Sequence, residues 1–479
     1  MSKIYVFGIG GTGARVIKSL ALLLASGVEI NADVVVPVII DPDNANGDVT
    51  RTVGLLKNYQ QIRARLDFSS HSENKFFTTK IENVCQNFRL ELKDIDNDKF
   101  RDYIDYSDLN ESNKALISLL FSEDNLNSNM EVGFKGNPNI GSVVLNQFKN
   151  SRDFTDFAAS FAQGDRIFIV SSIFGGTGAA GFPLLLKNIR NADQSLSTCA
   201  LLKDAPVGAI TVLPYFGVAP DPESKIDKST FISKTKAALS YYEENISGNN
   251  SLNALYYLGD NITKDYENHE GSVDQQNDAH FIELASALAI IDFMTIQPDD
   301  LITQHGVAET PIYKEFGIKK DSASISFSDL GQHTQHQLNK PLTQYVLFTL
   351  YLQNHITESM HLPWATGSVK IDRQFLNQPF YNSYLRNFNE RFVEWLNEMS
   401  GNARAFSPFN LNVGTNNLFD LVVGIPPKSG LFEKGTNYTR FDHILAKVEP
   451  GVGNPNVEQK FLSLFYKATE KLVTEKFNF

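Results

Sequence analysis

The sequence predicts an α/β fold in which a doubly wound, mostly parallel sheet is followed by a smaller α+β domain. Three observations support this prediction. Short apolar runs alternate with helical patterns from the first residues to about residue 295. Two of those runs end in glycine-rich turns, as expected where a strand leads into a helix. After residue 295 long helices dominate, so we expect a domain boundary there.

The first 45 residues contain two predicted strands with a helix between them. Lys3–Ile9 is a short apolar run, and Thr12–Ser26 carries apolar residues at helical spacing. Val34–Ile40 is mostly β-branched, as expected for a parallel strand covered on both faces. Pro37 counts against this strand, because proline cannot donate a ladder hydrogen bond. The more polar residues 44–133 are predicted to be a helical elaboration of the same domain.

The alternation of strands and helices resumes after residue 133. The predicted strands there are Arg166–Ser171, Val207–Leu213 and Ala254–Leu258. The predicted helices, including one within the elaboration, are Lys114–Phe121, Ser142–Asn150, Phe182–Asn191, Phe231–Asn245 and the long apolar Asn277–Met294. The α+β domain is predicted to contain helices over Gln335–Met360 and Val457–Phe477 and a strand at Asn416–Ile425.

Composition and charge exclude several classes of protein. The chain has 479 residues, 42% of them apolar and 20% charged, which is typical of globular proteins. A net charge of −12 without a dense Lys/Arg cluster argues against a nucleic-acid partner. Two cysteines, Cys85 and Cys199, allow at most one disulfide and favour a reducing, cytoplasmic location. No apolar run approaches the roughly 18 residues of a membrane span, so we expect no membrane insertion.

The first glycine-rich turn has the spacing of a phosphate-binding loop. Gly8–Gly13 reads G-I-G-G-T-G between a predicted strand and a predicted helix, and Asp41 ends the next strand. Glycines let the backbone approach an anion, and the helix N-terminus supplies unpaired N–H groups and a positive dipole end. The motif alone does not identify the nucleotide. A tight turn without a ligand is the structural alternative.

A second glycine-rich turn follows the strand at Arg166–Ser171. Phe174–Gly181 reads F-G-G-T-G-A-A-G and again leads into a helix. A dinucleotide enzyme does not need a second phosphate cradle here, whereas a site for a nucleoside triphosphate does. No G-K-[ST] follows, so the turn is not a Walker loop and supplies no phosphate-binding lysine. A helix packed closely on the sheet is the structural alternative.

At this turn the chain resembles the tubulin/FtsZ superfamily, whose signature loop is G-G-G-T-G-[ST]-G. Phe174, Ala179 and Ala180 depart from the signature, which makes the chain look like a divergent bacterial tubulin-like protein. Weaker matches follow the family's order over residues 3–295. The resemblance implies a Rossmann-like nucleotide-binding domain at residues 1–295, joined by a long central helix to an α+β domain at residues 296–479.

The resemblance also implies a set of nucleotide-binding residues. The two glycine turns and a loop at Gly136–Gly141 would contact the phosphates, and residues near 260 and 277 would read the base. The matching positions are Gly10, Gly11, Thr12, Gly13, Asp41, Gly136, Asn137, Gly175, Gly176, Thr177, Gly178, Ala179, Asp260, Asn261, Asn277 and Asp278. Carboxylate and amide groups at the last four favour guanine, so we expect GTP or GDP with Mg²⁺ as the ligand. No His/Cys metal site is expected.

In the family, two subunits of a filament enclose the nucleotide, and hydrolysis depends on assembly. The corresponding loop here is Thr295–Asp300, in which Asp299 and Asp300 could orient water or hold a hydrated Mg²⁺. The same residues also suit an ordinary helix start, because proline and aspartate are favoured there. The family's Asn-x-Asp pattern is missing, so hydrolysis is an open question.

Two side chains near the predicted site have alternative roles. Arg15 either reaches phosphate or lies in solvent, and His280 either contacts the nucleotide or is structural. The expected function is a GTP-binding protein that self-assembles head to tail, with GTP hydrolysis completed at the subunit interface. The first alternative is a tubulin-like nucleotide-binding scaffold or switch without hydrolysis. The second is a Rossmann oxidoreductase using NAD or FAD, which leaves Phe174–Gly181 unexplained.

Overall fold

The computed structural model arranges the chain as alternating strands and helices, followed by a mostly helical region. The residues it describes are 2–68, 73–93, 95, 99–130, 134, 137–218, 228–261, 265–266, 273, 275–315, 322–367, 369–428, 437–452 and 456–479. The strands are β1 (Lys3–Ile9), β2 (Val34–Ile40), β3 (Lys80–Ile81), β4 (Arg166–Ser172), β5 (Val207–Val212), β6 (Gly217–Val218), β7 (Ala254–Leu258), β8 (Asp265–Tyr266), β9 (Thr303–Gln304), β10 (Val307–Ala308), β11 (Ile312–Glu315), β12 (Ser324–Ile325) and β13 (Ala405–Phe406).

The helices connect these strands and form most of the C-terminal region. They are α1 (Gly10–Ala25), α2 (Gly47–Arg63), α3 (Phe100–Tyr103), α4 (Glu111–Leu120), α5 (Glu123–Leu126), α6 (Pro138–Val144), α7 (Arg152–Ser160), α8 (Gly176–Arg190), α9 (Cys199–Lys203), α10 (Lys228–Tyr242), α11 (Phe281–Thr295), α12 (Gln332–Asn354), α13 (Ile356–Ser359), α14 (Arg373–Leu376), α15 (Arg386–Ser400), α16 (Asn437–Val448) and α17 (Val457–Lys476). None of these helices is both long and apolar enough to cross a membrane, over the described residues.

Seven strands form one parallel sheet in the order β11-β7-β5-β4-β1-β2-β3. The chain runs outward from β1 through β2 to β3, and then returns to β4 on the other side of β1. The strand order therefore reverses between β1 and β4. In open α/β sheets, ligands bind at the carboxyl ends of the strands at such a reversal.

The central strands are buried on both faces, which explains their continuous apolar sequences. β2, β4 and β5 are buried over their whole length. In β1, Ile4 and Val6 face the core that contains α1 and α11, whereas Tyr5 and Phe7 face the core that contains α8. α11 lies in the first of these cores and is apolar on almost every side, as expected for an enclosed helix.

Pro37 lies within β2 without disrupting the sheet. The carbonyl of Val35 accepts a hydrogen bond from Glu82 on the β3 side, so the nitrogen of residue 37 faces the same side. β3 pairs only with Val34 and Val35 among the described residues, and it therefore ends before Pro37. The missing N–H costs no ladder hydrogen bond at this position.

The structure confirms the predicted parallel α/β sheet and the predicted strands within it. β7 has the predicted bounds, and β1, β2, β4 and β5 differ by one residue at most. β11 lies beyond the predicted boundary at residue 295 but pairs with β7 in the main sheet. The other described strands after residue 295 are two-residue pairs, so helices dominate there. The division at residue 295 stays a prediction.

The start of one predicted helix is wrong, and so is one predicted strand. The long helix begins at Phe281 and not at Asn277, because His280 is its N-cap: His280 Nδ1 accepts from Ile282 N–H, and Glu283 accepts from His280 N–H. The predicted strand at Asn416–Ile425 is instead a 3₁₀ segment, Thr415–Leu421. Its buried side chains recur at helical spacing, whereas a strand would bury every second residue.

Candidate functional site

The two glycine-rich turns lie side by side at the reversal of strand order. Gly8–Gly13 joins β1 to α1, and Phe174–Gly181 joins β4 to α8. A Cβ atom placed on Gly10 would lie 3.7 Å from the Cβ of Thr177 and 3.9 Å from the nitrogen of Gly178. The sequence predicted both turns, and the structure brings them into contact at the edge where parallel sheets bind ligands.

Close backbone packing explains the glycines in these turns. Gly10 has a φ of +74°, a conformation that disfavours other residues. A Cβ on Gly13 would collide with the backbone of Gly8, and a Cβ on Gly178 would collide with the carbonyl oxygen of Ser172. Each turn thus places a helix start close to the end of its strand.

The first turns of α1 and α8 lie beside each other at the reversal of strand order, where an open α/β sheet is expected to have a ligand-binding crevice. Their N-caps are Ile9 and Gly175, and in the described structure neither helix has a side-chain cap or an acidic residue in its first turn. The initial N–H groups of an α-helix have no partner within the helix. Two neighbouring helix starts of this kind suit an anion with several oxygens, such as a polyphosphate.

A third segment borders the second glycine turn. A Cβ on Gly141, in α6, would lie 3.0 Å from the carbonyl oxygen of Gly176 and 2.9 Å from the Cβ of Ala180. Asn137 is the N-cap of α6 and is half-buried. The described part of the predicted phosphate-contacting loop at Gly136–Gly141 is therefore adjacent to the second glycine turn. Gly136 lies outside the described residues.

Asp41 is buried in the loop that follows β2. Its Oδ1 accepts a hydrogen bond of 2.9 Å from Asp43 N–H, and Arg89 donates to the backbone carbonyls of Asp41 and Asp43. Burial raises the pKa of Asp41 to about 7, although the Asp43 N–H and Arg89 act in the opposite direction. Asp41 therefore exchanges a proton near neutral pH.

Arg15 is 3% exposed and occupies a buried ion cluster, so the predicted alternative in which it lies in solvent is wrong, and its contact with phosphate stays a prediction. Its Nε donates to Glu283 at 2.5 Å and its Nη1 to Asp48 at 2.5 Å. Its Nη2 donates to the Tyr215 hydroxyl at 2.9 Å and lies 3.4 Å from Thr12 Oγ1. Burial lowers the pKa of Arg15, but Glu283, Tyr215 and Asp48 together raise it above its usual value. The guanidinium stays charged and is fully engaged.

The predicted base-reading residues fall into two groups. Asp260 forms an ion pair with Arg404, and Asn277 donates to Asp48 through both its backbone and its side-chain nitrogen. Asn261 and Asp278 are exposed. Two of the four positions thus hold protein partners that a guanine would have to replace.

His280 has the structural role that was one of its two predicted alternatives. It is 6% exposed, caps α11 and packs against the Tyr215 ring with centroids 4.9 Å apart. Burial lowers the pKa of His280, which keeps Nδ1 available as an acceptor for the cap. Phe174 also contacts this aromatic group, at 6.1 Å from the Tyr215 ring and 5.5 Å from the Phe216 ring. The departure of Phe174 from the glycine signature therefore has a packing function.

Sequence reasoning did not identify Asp48 and Glu283 as residues near the site. A signal was present for Glu283, because it is a carboxylate inside an otherwise apolar helix. A charged residue in such a position must be paired when the helix is buried. The same argument applies to Arg15 in α1, which is also buried over nearly its whole length.

Asp299 and Asp300 lie at the opposite edge of the sheet from the glycine turns. Arg166, at the amino end of β4, donates to the carbonyls of Phe293 and Ile296 at 2.8 and 2.9 Å. The seven residues of β4 span about 20 Å to the carboxyl edge. Both aspartates are exposed in the 3₁₀ segment Pro298–Asp300. They cannot reach the crevice of their own chain.

Among the described residues, no group of three or more His, Cys, Asp or Glu side chains could hold a metal ion. The protein groups at the crevice are instead backbone N–H donors and the carboxylate of Asp41. Donors of this kind fit phosphate oxygens directly, and a hydrated Mg²⁺ would be held through the phosphates.

No protein-family model and no curated protein matches the sequence. Similar solved structures include "CetZ2 from Haloferax volcanii - GTPgS bound protofilament", at 12% identity and a TM-score of 0.30. CetZ from Methanosaeta thermophila has 14% identity and a TM-score of 0.26. A helical model of the TubZ-Bt two-stranded filament has 12% identity and a TM-score of 0.27. The matches cover 62%, 61% and 83% of this chain. They span 60%, 52% and 79% of the other chains, so the first two are matched over less than two thirds of their length.

Proposed function

We propose that this chain is a tubulin/FtsZ-like protein that binds GTP or GDP in the crevice between its two glycine turns. The observation that carries the proposal is the contact between Gly10 and Thr177, which places two uncapped helix starts together at the reversal of strand order. A nucleoside triphosphate carries more phosphate oxygens than the pyrophosphate of a dinucleotide, and two adjacent turns supply more backbone N–H donors for them than one turn does. A dinucleotide-binding site would need only the first of the two turns.

The phosphate-binding residues in this proposal belong to three segments. One turn contributes Gly10–Gly13, the other contributes Gly175–Ala179, and the α6 start at Asn137 lies beside the second. Gly136, which is proposed to contact the phosphates with Asn137, lies outside the described residues. Mg²⁺ would neutralise phosphate charge when bound. Cys85 and Cys199 are both free thiols, which suits the reducing cytoplasm where GTP is abundant.

Base recognition is the less direct part of the proposal. Asn261 and Asp278 are exposed and can donate to or accept from a purine edge. Asp260 and Asn277 would read guanine only after exchanging their present partners, Arg404 and Asp48. Selectivity for GTP over ATP therefore depends on residues that are already engaged.

Head-to-tail self-assembly is part of the proposal, and the positions of two segments at opposite edges of the sheet support it. The crevice lies at the carboxyl edge, and the Thr295–Asp300 loop lies beyond the amino edge. A second copy stacked along the strand direction would bring its Asp299 and Asp300 toward the nucleotide of the first copy. Exposed carboxylates in that position could orient a water for attack on the γ-phosphate.

The nucleotide site is tested by direct binding of GTP, ATP and NAD⁺ to the purified chain. In Gly178→Ala the added Cβ collides with the carbonyl oxygen of Ser172 and lies 2.9 Å from the Ser172 nitrogen. Because the turn must shift to relieve this clash, the variant is expected to bind GTP more than tenfold more weakly. Gly54→Ala is the matched control, because nothing lies within 4 Å of its Cβ on the exposed side of α2. The control should bind GTP as the wild type does. Binding of NAD⁺ instead of GTP would favour the oxidoreductase alternative.

Hydrolysis is tested by phosphate release over a series of protein concentrations with Mg²⁺. A rate per molecule that rises above a threshold concentration is expected, because a neighbour completes the site. Asp299→Ala and Asp300→Ala should abolish this rise while leaving GTP binding unchanged, since both residues are far from the crevice of their own chain. GTP binding without turnover at any concentration would favour the non-hydrolysing scaffold.

A further inference from the structure

A network of buried charges begins at the first glycine turn. A Cβ on Gly11 would lie 3.6 Å from Arg15 Nη1 and 3.7 Å from Asp48 Oδ2, so the network starts directly beneath the phosphate turn. Arg15 also binds Tyr215 and Glu283, which follow β5 and open α11. One guanidinium therefore connects the segments that border the crevice.

The network continues from Asp48 to a helix of the C-terminal region. Asp48 Oδ1 accepts from Arg51 at 2.8 Å, and Arg51 Nη1 donates to Glu398 of α15 at 3.0 Å. The other oxygen of Glu398 accepts from Lys18 at 3.2 Å and from Ala279 N–H at 2.9 Å. α15 is thereby attached to α1, to α2 and to the segment that precedes α11.

Charge balance makes this network sensitive to an added anion. It contains three cations and three carboxylates: Arg15, Lys18, Arg51, Asp48, Glu283 and Glu398. The exposed fraction of their side chains is 13% or less in each case. Asp48 accepts hydrogen bonds from both Arg15 and Arg51, so a weaker contact with one arginine strengthens its attraction for the other. Charges in such surroundings interact strongly because little water screens them.

We propose that this network couples nucleotide occupancy of the crevice to the packing of α15. The inference rests on the proposed nucleotide site. A phosphate anion at Gly11 competes with Asp48 for Arg15. The Asp48 carboxylate then attracts Arg51 more strongly, and the Arg51–Glu398 hydrogen bond weakens. Glu398 keeps its hydrogen bonds to Lys18 and to Ala279 N–H. Nucleotide binding therefore loosens α15, and weakening the Arg51–Glu398 contact favours nucleotide binding by the same factor.

The coupling is measured with Glu398→Gln and a matched control on the same helix. Glu394→Gln changes a carboxylate one turn away that is 37% exposed and lies 3.8 Å from Arg51. Dissociation constants for GTP with Mg²⁺ are determined for the wild type and both variants. Hydrogen exchange of the α15 amides is followed with and without GTP. We expect Glu398→Gln to bind GTP about fivefold more tightly or better, which is the lower range of allosteric coupling, and Glu394→Gln to match the wild type.

The wild type should show faster exchange in α15 when GTP is bound, and Glu398→Gln should lose this dependence. If Glu398→Gln folds poorly, Lys18→Met combined with Glu398→Gln removes one charge of each sign and keeps the remainder balanced. The coupling would be overturned if neither Glu398→Gln nor the double variant bound GTP more tightly than the wild type. It would also be overturned if GTP left the hydrogen exchange of the α15 amides unchanged. Neither result would contradict the nucleotide site itself. A wild type that binds no GTP would overturn both proposals.

Discussion

Replacement of Asp41 by asparagine tests the electrostatics of the loop beside the first glycine turn. The Asp41 side chain is buried after β2, and its Oδ1 accepts a hydrogen bond from Asp43 N–H. Burial is the main reason that its pKa rises from 3.8 to about 7, and the nearby Asp43 carboxylate adds to the increase. Asparagine keeps an Oδ1 acceptor for Asp43 N–H but cannot become charged.

The expected size and sign follow from the two pKa values. Because the folded pKa exceeds the unfolded one, the folded state binds the proton more tightly, and the resulting stabilisation is complete below pH 3.8 and lost as the pH rises through 7. At about 1.4 kcal/mol per pKa unit, the charged carboxylate destabilises the fold above pH 7 by at most about 4 kcal/mol. With an unfolding entropy of about 2.1 cal/mol/K per residue, this corresponds to a difference in Tm of about 4 °C for a chain of 479 residues.

The assay is thermal unfolding of the wild type and Asp41→Asn between pH 4 and 8.5. The Tm of the variant should match that of the wild type at the acidic end, exceed it increasingly up to pH 7 and keep a constant advantage above pH 7.5. Titrations of other groups are common to both proteins and cancel in the difference. A difference in Tm that does not change with pH would refute a buried, proton-exchanging Asp41.

Two further substitutions test the long-range ion pairs. Arg15→Met leaves Asp48 and Glu283 buried without their shared cation, which should destabilise the fold by about 3–5 kcal/mol in urea unfolding; a loss below 1 kcal/mol would contradict the buried cluster. Arg404→Gln releases the Asp260 carboxylate, so the ratio of GTP to ATP affinity should rise severalfold if that carboxylate reads guanine, and an unchanged ratio would remove Asp260 from the proposed site.

The sheet could be predicted from the sequence because its signals are local. Each central strand is buried on both faces and appears as an uninterrupted apolar run, as in Val34–Ile40 and Arg166–Ser172. The glycine turns mark where strands lead into helices, so the carboxyl edge of the sheet could also be predicted. The start of α11 was misplaced because a histidine N-cap is an uncommon signal, and Asn277 and Asp278 are better cap residues by type.

The contacts within the site could not be predicted because their partners are distant in sequence. Arg15 meets Glu283 across 268 positions, and Asp260 meets Arg404 across 144. Hydrophobic periodicity indicates which face of a helix is buried, but it does not indicate which carboxylate meets which guanidinium. Burial alone would have been sufficient for a weaker prediction: a charged residue on a buried face needs a partner of opposite charge somewhere in the fold.

The phosphate half and the base half of the proposed nucleotide site therefore depend on different physical features. The phosphate half depends on backbone geometry, which glycine spacing specifies locally, and in the structure its helix starts lie in contact. The proposed base half includes Asp260 and Asn277, which already hold protein partners, so a purine would have to displace Arg404 or Asp48 to be read by them. Displacing a buried charge from its partner is costly unless the ligand supplies an equivalent donor. Guanine offers N–H donors toward a carboxylate, whereas adenine presents an acceptor at the corresponding ring nitrogen. An exchange of partners at Asp260 would thus be the step that distinguishes GTP from ATP.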